Sequence, residues 1–342
     1  MNQERKVIMN SENFGLTADN ESIQRFTLSG GGLCAKFINW GAVLQDLRFE
    51  GESNSLVLGL ENLEDYLKHS RYFGATAGPY ANRIDRGQFR INEKEVQLQK
   101  NFQNQHHLHG GTEGIGKRAW KLEDFKKDSL KLSIIHPDKH MGFPGPIKIH
   151  ARFTLSDPGI LDILYSAETE RPTIVNLAHH SYFNLSGEKT ILDHELRVNA
   201  STYLEVDSGL IPRGAPQSVD DGVHDFQDFR PIQSVTSSPS KLDHNFCLSL
   251  KPQEIRPVAW LKSKGVCMQI NTTEPGLQVY DGHGLDVPIH GTDEKFMGAY
   301  AWIALEPQLW PDSPNRSDFA QPFLLPGEIY SQHTQYIFSK ID

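Results

Sequence analysis

Apolar and polar residues alternate in short runs along nearly the whole chain. The clearest pair is 147–155 and 161–167, which face each other across the turn Asp157-Pro158-Gly159. A period of two places successive side chains on opposite faces of a strand. The same alternation predicts a hairpin over 25–40 around Gly30, Gly31 and Gly32, and a strand over 42–49. It predicts a second hairpin over 88–98, and strands at 130–136, 192–198, 266–271, 277–280, 300–305 and 335–338. Residues 63–69 form one of few short helical candidates. Closely spaced short strands, punctuated by 28 Gly and 19 Pro, predict an all-β fold, a sandwich or a barrel. No long amphipathic helix and no internal repeat interrupts the series. The most linker-like stretch, 234–240, is short and reads as a surface loop, so residues 1–342 are expected to form a single domain.

The stretch 173–187, Thr-Ile-Val-Asn-Leu-Ala-His-His-Ser-Tyr-Phe-Asn-Leu-Ser-Gly, organises the rest. Its β-branched start and Ser-Gly end predict one strand running into a turn. One face would carry Val175, Leu177, His179, Ser181, Phe183 and Leu185, a set suited to a core. The other would carry Ile174, Asn176, Ala178, His180, Tyr182 and Asn184. Four hydrogen-bonding groups in a row are hard to satisfy inside a core. His180 is therefore expected to face a ligand and His179 to be structural, unless a β-bulge exchanges them.

The formal net charge of −9 argues against nucleic acid or an anionic membrane as partner. Cys34, Cys247 and Cys267 are scattered and odd in number, which fits a reducing compartment rather than a disulfide framework. The first ten residues hold no apolar signal core, and no apolar run reaches membrane-spanning length. A soluble, cytoplasmic protein is the expectation.

Further polar clusters sit on or beside the predicted strands. Gly74 to Ile84 is a Gly- and Pro-marked turn that delivers Asn82 and Arg83 together. An amide beside a guanidinium can grip neighbouring hydroxyls; a turn Asn and a surface Arg are the plainer alternative. His106, His107 and His109 precede Gly110 and Gly111. Three histidines in four positions invite a metal, yet no further ligand motif accompanies them. Asp243 opens a polar trio before an apolar run, where a self-capping turn Asp is common. Gln278 and Tyr280 share one strand face. In 300–308, Trp302, Ala304, Glu306 and Gln308 share a face, with Pro307 pinning the end. A buried Glu306 would have a raised pKa, as a general base working near neutrality requires; an emerging strand-end Glu is the alternative. There is no Gly-x-Ser-x-Gly elbow, no Walker loop and no Gly-x-Gly-x-x-Gly after a strand.

Taken in this order, the clusters resemble the aldose 1-epimerase, or galactose mutarotase, family. The matching pieces are Ala81-Asn-Arg-Ile84, Leu108-His-Gly-Gly111, the Val-Asn-Leu-x-x-His-Ser-Tyr-Phe-Asn-Leu around His180, and Thr202-Tyr-Leu-x-Val-Asp207. Asp243-His-Asn-Phe246, Pro275-Gly-Leu-Gln-Val-Tyr280, Leu305-Glu-x-Gln308 and Leu325-Pro-Gly-Glu328 continue the match. The resemblance implies a large antiparallel β-sandwich with a sugar cleft across one sheet. It implies interconversion of the α and β anomers of a free aldohexose, galactose or glucose, without a cofactor or a metal. By the same resemblance His180 is the catalytic acid and Glu306 the base, flanking the ring, while Asn82, Arg83, His109, Asp243 and Gln278 contact the sugar. An aromatic such as Trp302 or Trp310 would stack on the sugar's apolar face. The protein would act as a monomer or homodimer.

The chain departs from the family pattern at Pro79, His106, His179, His283 and Pro307. These changes bear on sugar identity more than on reaction type. A branch acting on phosphorylated hexoses would need extra cations, for which Arg71 and Arg86 are candidates. A non-catalytic carbohydrate-binding protein would need neither His180 nor Glu306, and a metal enzyme would use His106, His107 and His109.

Overall fold

A computed structural model describes residues 10–220, 222–233 and 241–341. The stretch 234–240, expected as a surface loop, lies outside the described residues. Among the described residues the strands build three main antiparallel sheets. A four-stranded meander comprises Asn10–Leu16, Ser22–Gly30, Leu33–Ile38 and Val43–Phe49. The nine-stranded sheet runs in the order Lys121–Phe125, Ser129–His136, Ile147–Ser156, Ile160–Thr169, Tyr330–Lys340, Val266–Thr272, Arg256–Ser263, Glu195–Val198 and Arg230–Pro231. The six-stranded sheet runs Tyr182–Phe183, Ile303–Gln308, Gly276–Tyr280, Asp243–Cys247, Thr202–Tyr203 and Gln217–Ser218.

The sequence pattern explains how these sheets stack. Along Ile147–Ser156 every second residue is buried, with Ile147, Ile149, Ala151, Phe153 and Leu155 turned inward. They join one continuous core with Phe37 and Leu47 of the meander, Met268 and Tyr336 of the large sheet, and Leu277, Val279, Ile303 and Leu305 of the six-stranded sheet. The result is a sandwich with the large sheet on one side and the other two opposite it. The meander turn needs glycine: Gly31 has φ +59, and a Cβ there would stand 2.0 Å from the Ser156 carbonyl oxygen.

Phe153 sits in the middle of this core, 4.4 Å from the Phe37 ring and edge-on to Tyr165 and His179. Phe153→Ala is expected to cost about 3–5 kcal/mol, since the surrounding rings cannot all collapse into the void. A lower urea midpoint with an unchanged slope would show it.

Two expectations change at the strand level. The stretch 173–187 is not one strand but three short ones, each with its own partner. Thr173–Ile174 pairs with Phe323–Leu324, Ala178–His180 with Ala75–Ala77, and Tyr182–Phe183 with Ile303–Gln308. The strand expected over 300–305 starts at Ile303 and runs through Pro307 to Gln308, because Tyr300 adopts φ 59 and cannot extend the ladder. The helix forms at Leu63–His69, capped by Asn62, whose side chain accepts the Asp65 N–H.

Candidate active site

The six-stranded sheet supplies one side of the site by register. Glu306 lies opposite Gln278, and Gln278 opposite Asn245; two residues along, Ala304 lies opposite Tyr280, and Tyr280 opposite Asp243. Residues directly across antiparallel strands share a face, so Glu306, Gln278 and Asp243 converge on one surface. His180 comes from the neighbouring pair with Ala75–Ala77, where it lies opposite Ala75. Asn82, Arg83 and His109 come from the turn around the small pair Arg83–Ile84 and His107–Leu108. All seven residues line one cleft of about 420 Å³, a size suited to a small ligand. A surface depression around Lys189, His194 and Lys262 contains none of them, and its Lys262 is already paired with Glu195 at 3.0 Å.

Left-handed backbone shapes the cleft. Tyr72 (φ 64), Asn82 (φ 67) and His109 (φ 49) are all in the left-handed region, which Asn and His enter far more readily than Tyr. Gly110 makes the His109 turn possible: a Cβ there would stand 1.9 Å from the Gly78 carbonyl oxygen. Strain of this kind clusters where function over-determines the backbone.

Both acid–base candidates are buried, Glu306 at 2% and His180 at 5% exposure, so Glu306 does not emerge into water. His180 Nε2 lies 3.5 Å from Glu306 Oε1. Burial, with a smaller push from the Asp243 charge, raises the Glu306 pKa well above the ordinary carboxyl value. Burial lowers that of His180 to about 4. His109 is held well below the ordinary imidazole value by burial, then by its cationic neighbours.

The polar residues around this pair form a connected frame. The Asp243 carboxylate accepts from the Arg83 guanidinium at 3.2 Å and from Gln278 Nε2 at 2.6 Å. Asn82 Oδ1 accepts the Arg83 backbone N–H at 2.8 Å, and the Arg83 guanidinium lies 4.5 Å over the Phe102 ring. Arg83 is thus 7% exposed rather than a surface residue. Four buried atoms in the lining have no partner among the described residues: Glu306 Oε2, Gln278 Oε1, Arg83 Nε and His180 Nδ1. Each orphan costs about 1–3 kcal/mol, a cost a hydroxyl-rich ligand would remove.

The histidine cluster does not act as a unit. His106 Nδ1 accepts the Arg86 N–H, while His107 Nδ1 bonds the Gln99 carbonyl with its ring against Phe143. Only His109 reaches the cleft. Among the described residues the one convergent set of ligand atoms is His109, His180 and Glu306, within 4.8 Å of one another. Yet His109 Nδ1 accepts the Asn82 N–H at 3.1 Å. The proton of the neutral ring therefore sits on Nε2, leaving a hydrogen-bond donor where a metal would need a lone pair.

Other placements differ from expectation. Asn176 donates to the Ala81 carbonyl and accepts the Leu309 N–H, and Asn184 caps the following turn, so neither faces the cleft. His180 and Tyr182 do, and His179 packs near Phe153 and Tyr336 with its Nε2 bonded to Ser181. Trp302 and Trp310 are both in cores, their indole N–H groups donating to the carbonyls of Phe296 and Pro275. The cleft aromatics are Tyr72, Phe102, Tyr182 and Tyr280. Arg71 lines the cleft, one N–H donating to the Gly284 carbonyl and another to that of Asp286; Arg86 is outside it. Tyr72, Phe102 and Lys117 were not foreseen, since they lie in loops with no periodic signal.

The family model for aldose 1-epimerase matches residues 24–337. The chain is 35% identical to the galactose mutarotase of Mus musculus over 335 residues, covering 95% of this chain and 96% of that protein. It is 32% identical to the aldose 1-epimerase of Escherichia coli (strain K12), covering 96% and 99%. Its fold superposes on an aldose epimerase homologue from C. elegans with a TM-score of 0.87 at 29% identity, covering 93% and 99%. Sequence, fold and the convergence of these residues in one cleft agree: the chain belongs to the aldose 1-epimerase family.

Proposed function

We propose that Glu306 and His180 interconvert the anomers of a free aldohexose, galactose or glucose, by opening and reclosing its ring. The relatives' names supply the sugar class. The observation that carries the roles is a proton acceptor and a proton donor 3.5 Å apart, buried in one cleft. The two oxygens that must exchange protons, the anomeric hydroxyl and the ring oxygen, are bonded to the same carbon. Neighbouring catalytic groups therefore fit better than the expected pair on opposite sides of the ring.

In ring opening the Glu306 carboxylate takes the proton of the anomeric hydroxyl while the His180 imidazolium protonates the ring oxygen. The C1–O5 bond breaks and a carbonyl forms at C1. Rotation about C1–C2 presents the other face, and the reverse transfers close the ring as the other anomer. Burial favours the neutral forms of both groups, a protonated carboxyl and a neutral imidazole. That is the proton placement of the open-chain state, so the dry site helps to drive the opening. Arg83 and Asp243, tied to each other, and Gln278 hold the hydroxyls, with Asn82 supporting Arg83 and His109 donating through Nε2. Of the two cations expected for a phosphorylated sugar, Arg86 lies outside the cleft, and Arg71 lines it while donating to the Gly284 and Asp286 carbonyls. We further read the chain as a single domain with a small sugar as its partner. No helix among the described residues is long and apolar enough to cross a membrane.

Polarimetry of freshly dissolved α-galactose and α-glucose tests the reading; rates equal to buffer for both sugars would remove it. The pH profile tests the pair. The active state carries one proton shared between the two groups. kcat/KM is expected to rise as pH increases through about 4, where His180 gives up the second proton. It is expected to fall again as pH passes the raised Glu306 value, where the last proton leaves. A single limb at the ordinary imidazole value would contradict this assignment.

A further inference from the structure

A catalytic histidine is usually held by a hydrogen bond from its second ring nitrogen to a carboxylate or carbonyl. For His180 that support is reduced to its own backbone carbonyl. Its Nδ1 is buried and reaches nothing among the described residues beyond its own backbone. Two tyrosine rings lie nearly parallel to the imidazole instead. Tyr182 is 5.0 Å away, centroid to centroid, at an interplanar angle of 28°; Tyr72 is 6.0 Å away at 21°. His109 meets it edge-on at 5.2 Å.

Tyr72 is the telling member. It holds its ring there from a left-handed backbone (φ 64), an unfavourable conformation for a bulky side chain. The turn is fixed locally: Ser70 caps the helix and its hydroxyl accepts the Phe73 N–H, while the Tyr72 carbonyl accepts the Ala75 N–H. The Tyr72 ring also lies 4.7 Å from His109 and carries the Lys117 ammonium 4.8 Å above it. Among the described residues its hydroxyl makes no hydrogen bond, and its contacts to His180, His109 and Lys117 are all made by the ring.

We propose that Tyr72 and Tyr182 are positioning residues for His180: their ring faces fix the imidazole plane and stabilise its protonated form during proton transfer to the ring oxygen. An aromatic face carries negative potential and attracts a cation, most strongly where water is excluded. The charged and titratable groups around His180 are Glu306 and Asp243, which favour the imidazolium, and Arg83, His109, His179 and the Lys117 ammonium above Tyr72, which do not. Burial is the largest influence on His180 and opposes the charged ring, and the two ring faces act against it with a contribution that does not depend on another group's protonation. The proposal rests on His180 being the acid.

Tyr72→Leu and Tyr72→Phe, measured beside wild type and His180→Gln, test it. The leucine variant is expected to lose about tenfold in kcat with KM within about twofold, and its acid limb to move to lower pH by about one unit. The phenylalanine variant, which keeps the ring, is expected to recover most of that loss. If the leucine variant does not fold, Tyr72→Met takes its place, unbranched and of similar reach. Wild-type kcat in the leucine or methionine variant, a loss confined to KM, or an equal loss in the phenylalanine variant would each overturn the proposal. An active wild type with an inactive His180→Gln would in those cases leave the acid–base reading intact; an inactive wild type would remove both.

Discussion

Glu306→Gln is expected to lose about 10²–10⁴ in kcat, the range for removing one acid–base group. The amide has the shape of the carboxyl and can still donate and accept hydrogen bonds, but it cannot take the proton of the anomeric hydroxyl. Folding should not suffer. Glu306 is 2% exposed, and burial already favours its uncharged form, so an uncharged amide removes a desolvation penalty rather than adding one. The melting midpoint should hold or rise while polarimetry shows the acceleration gone. A variant that is both stable and fully active would mean that another group takes the proton.

His180→Gln should fall by a similar factor of about 10²–10⁴, because it removes the imidazolium that protonates the ring oxygen. The double variant is the sharper measurement. Two groups that move protons in one concerted event fail together, so removing the second after the first should cost little more. kcat of the double variant is therefore expected near that of the slower single variant. Losses that multiply would mean independent roles, and would argue against a shared proton across the 3.5 Å contact.

Much of this site was legible in the chain because alternation survives even where a strand does not. The stretch 173–187 breaks into three pieces with three partners, yet His180 and Tyr182 still reach the cleft and Val175, Leu177 and Phe183 the core. Strand partners are chosen by packing over long sequence distances, which local periodicity does not encode. The same limit explains Asn176 and Asn184. Their face was read correctly as polar, but each satisfies its amide on nearby backbone. Glu306 was legible because a carboxylate among Trp302, Ala304 and Ile303 has to be either paired or used. Tyr72 and Lys117 were not, because an irregular turn with φ 64 has no period to read. Trp302 and Trp310 misled because a large ring near a polar motif fits a sugar platform and a core equally well by composition.

The contact between Arg83 and Asp243 joins residues 160 positions apart, and the sugar frame depends on it. Glu306 lies further still along the chain from Asn82 and Arg83. A polypeptide emerging from the ribosome thus has no complete cleft until Glu306 has been made. Non-local contacts of this span form late and slowly. Chains cut short of Glu306 should therefore be inert toward sugars, and catalytic competence becomes a stringent report that these distant segments have met.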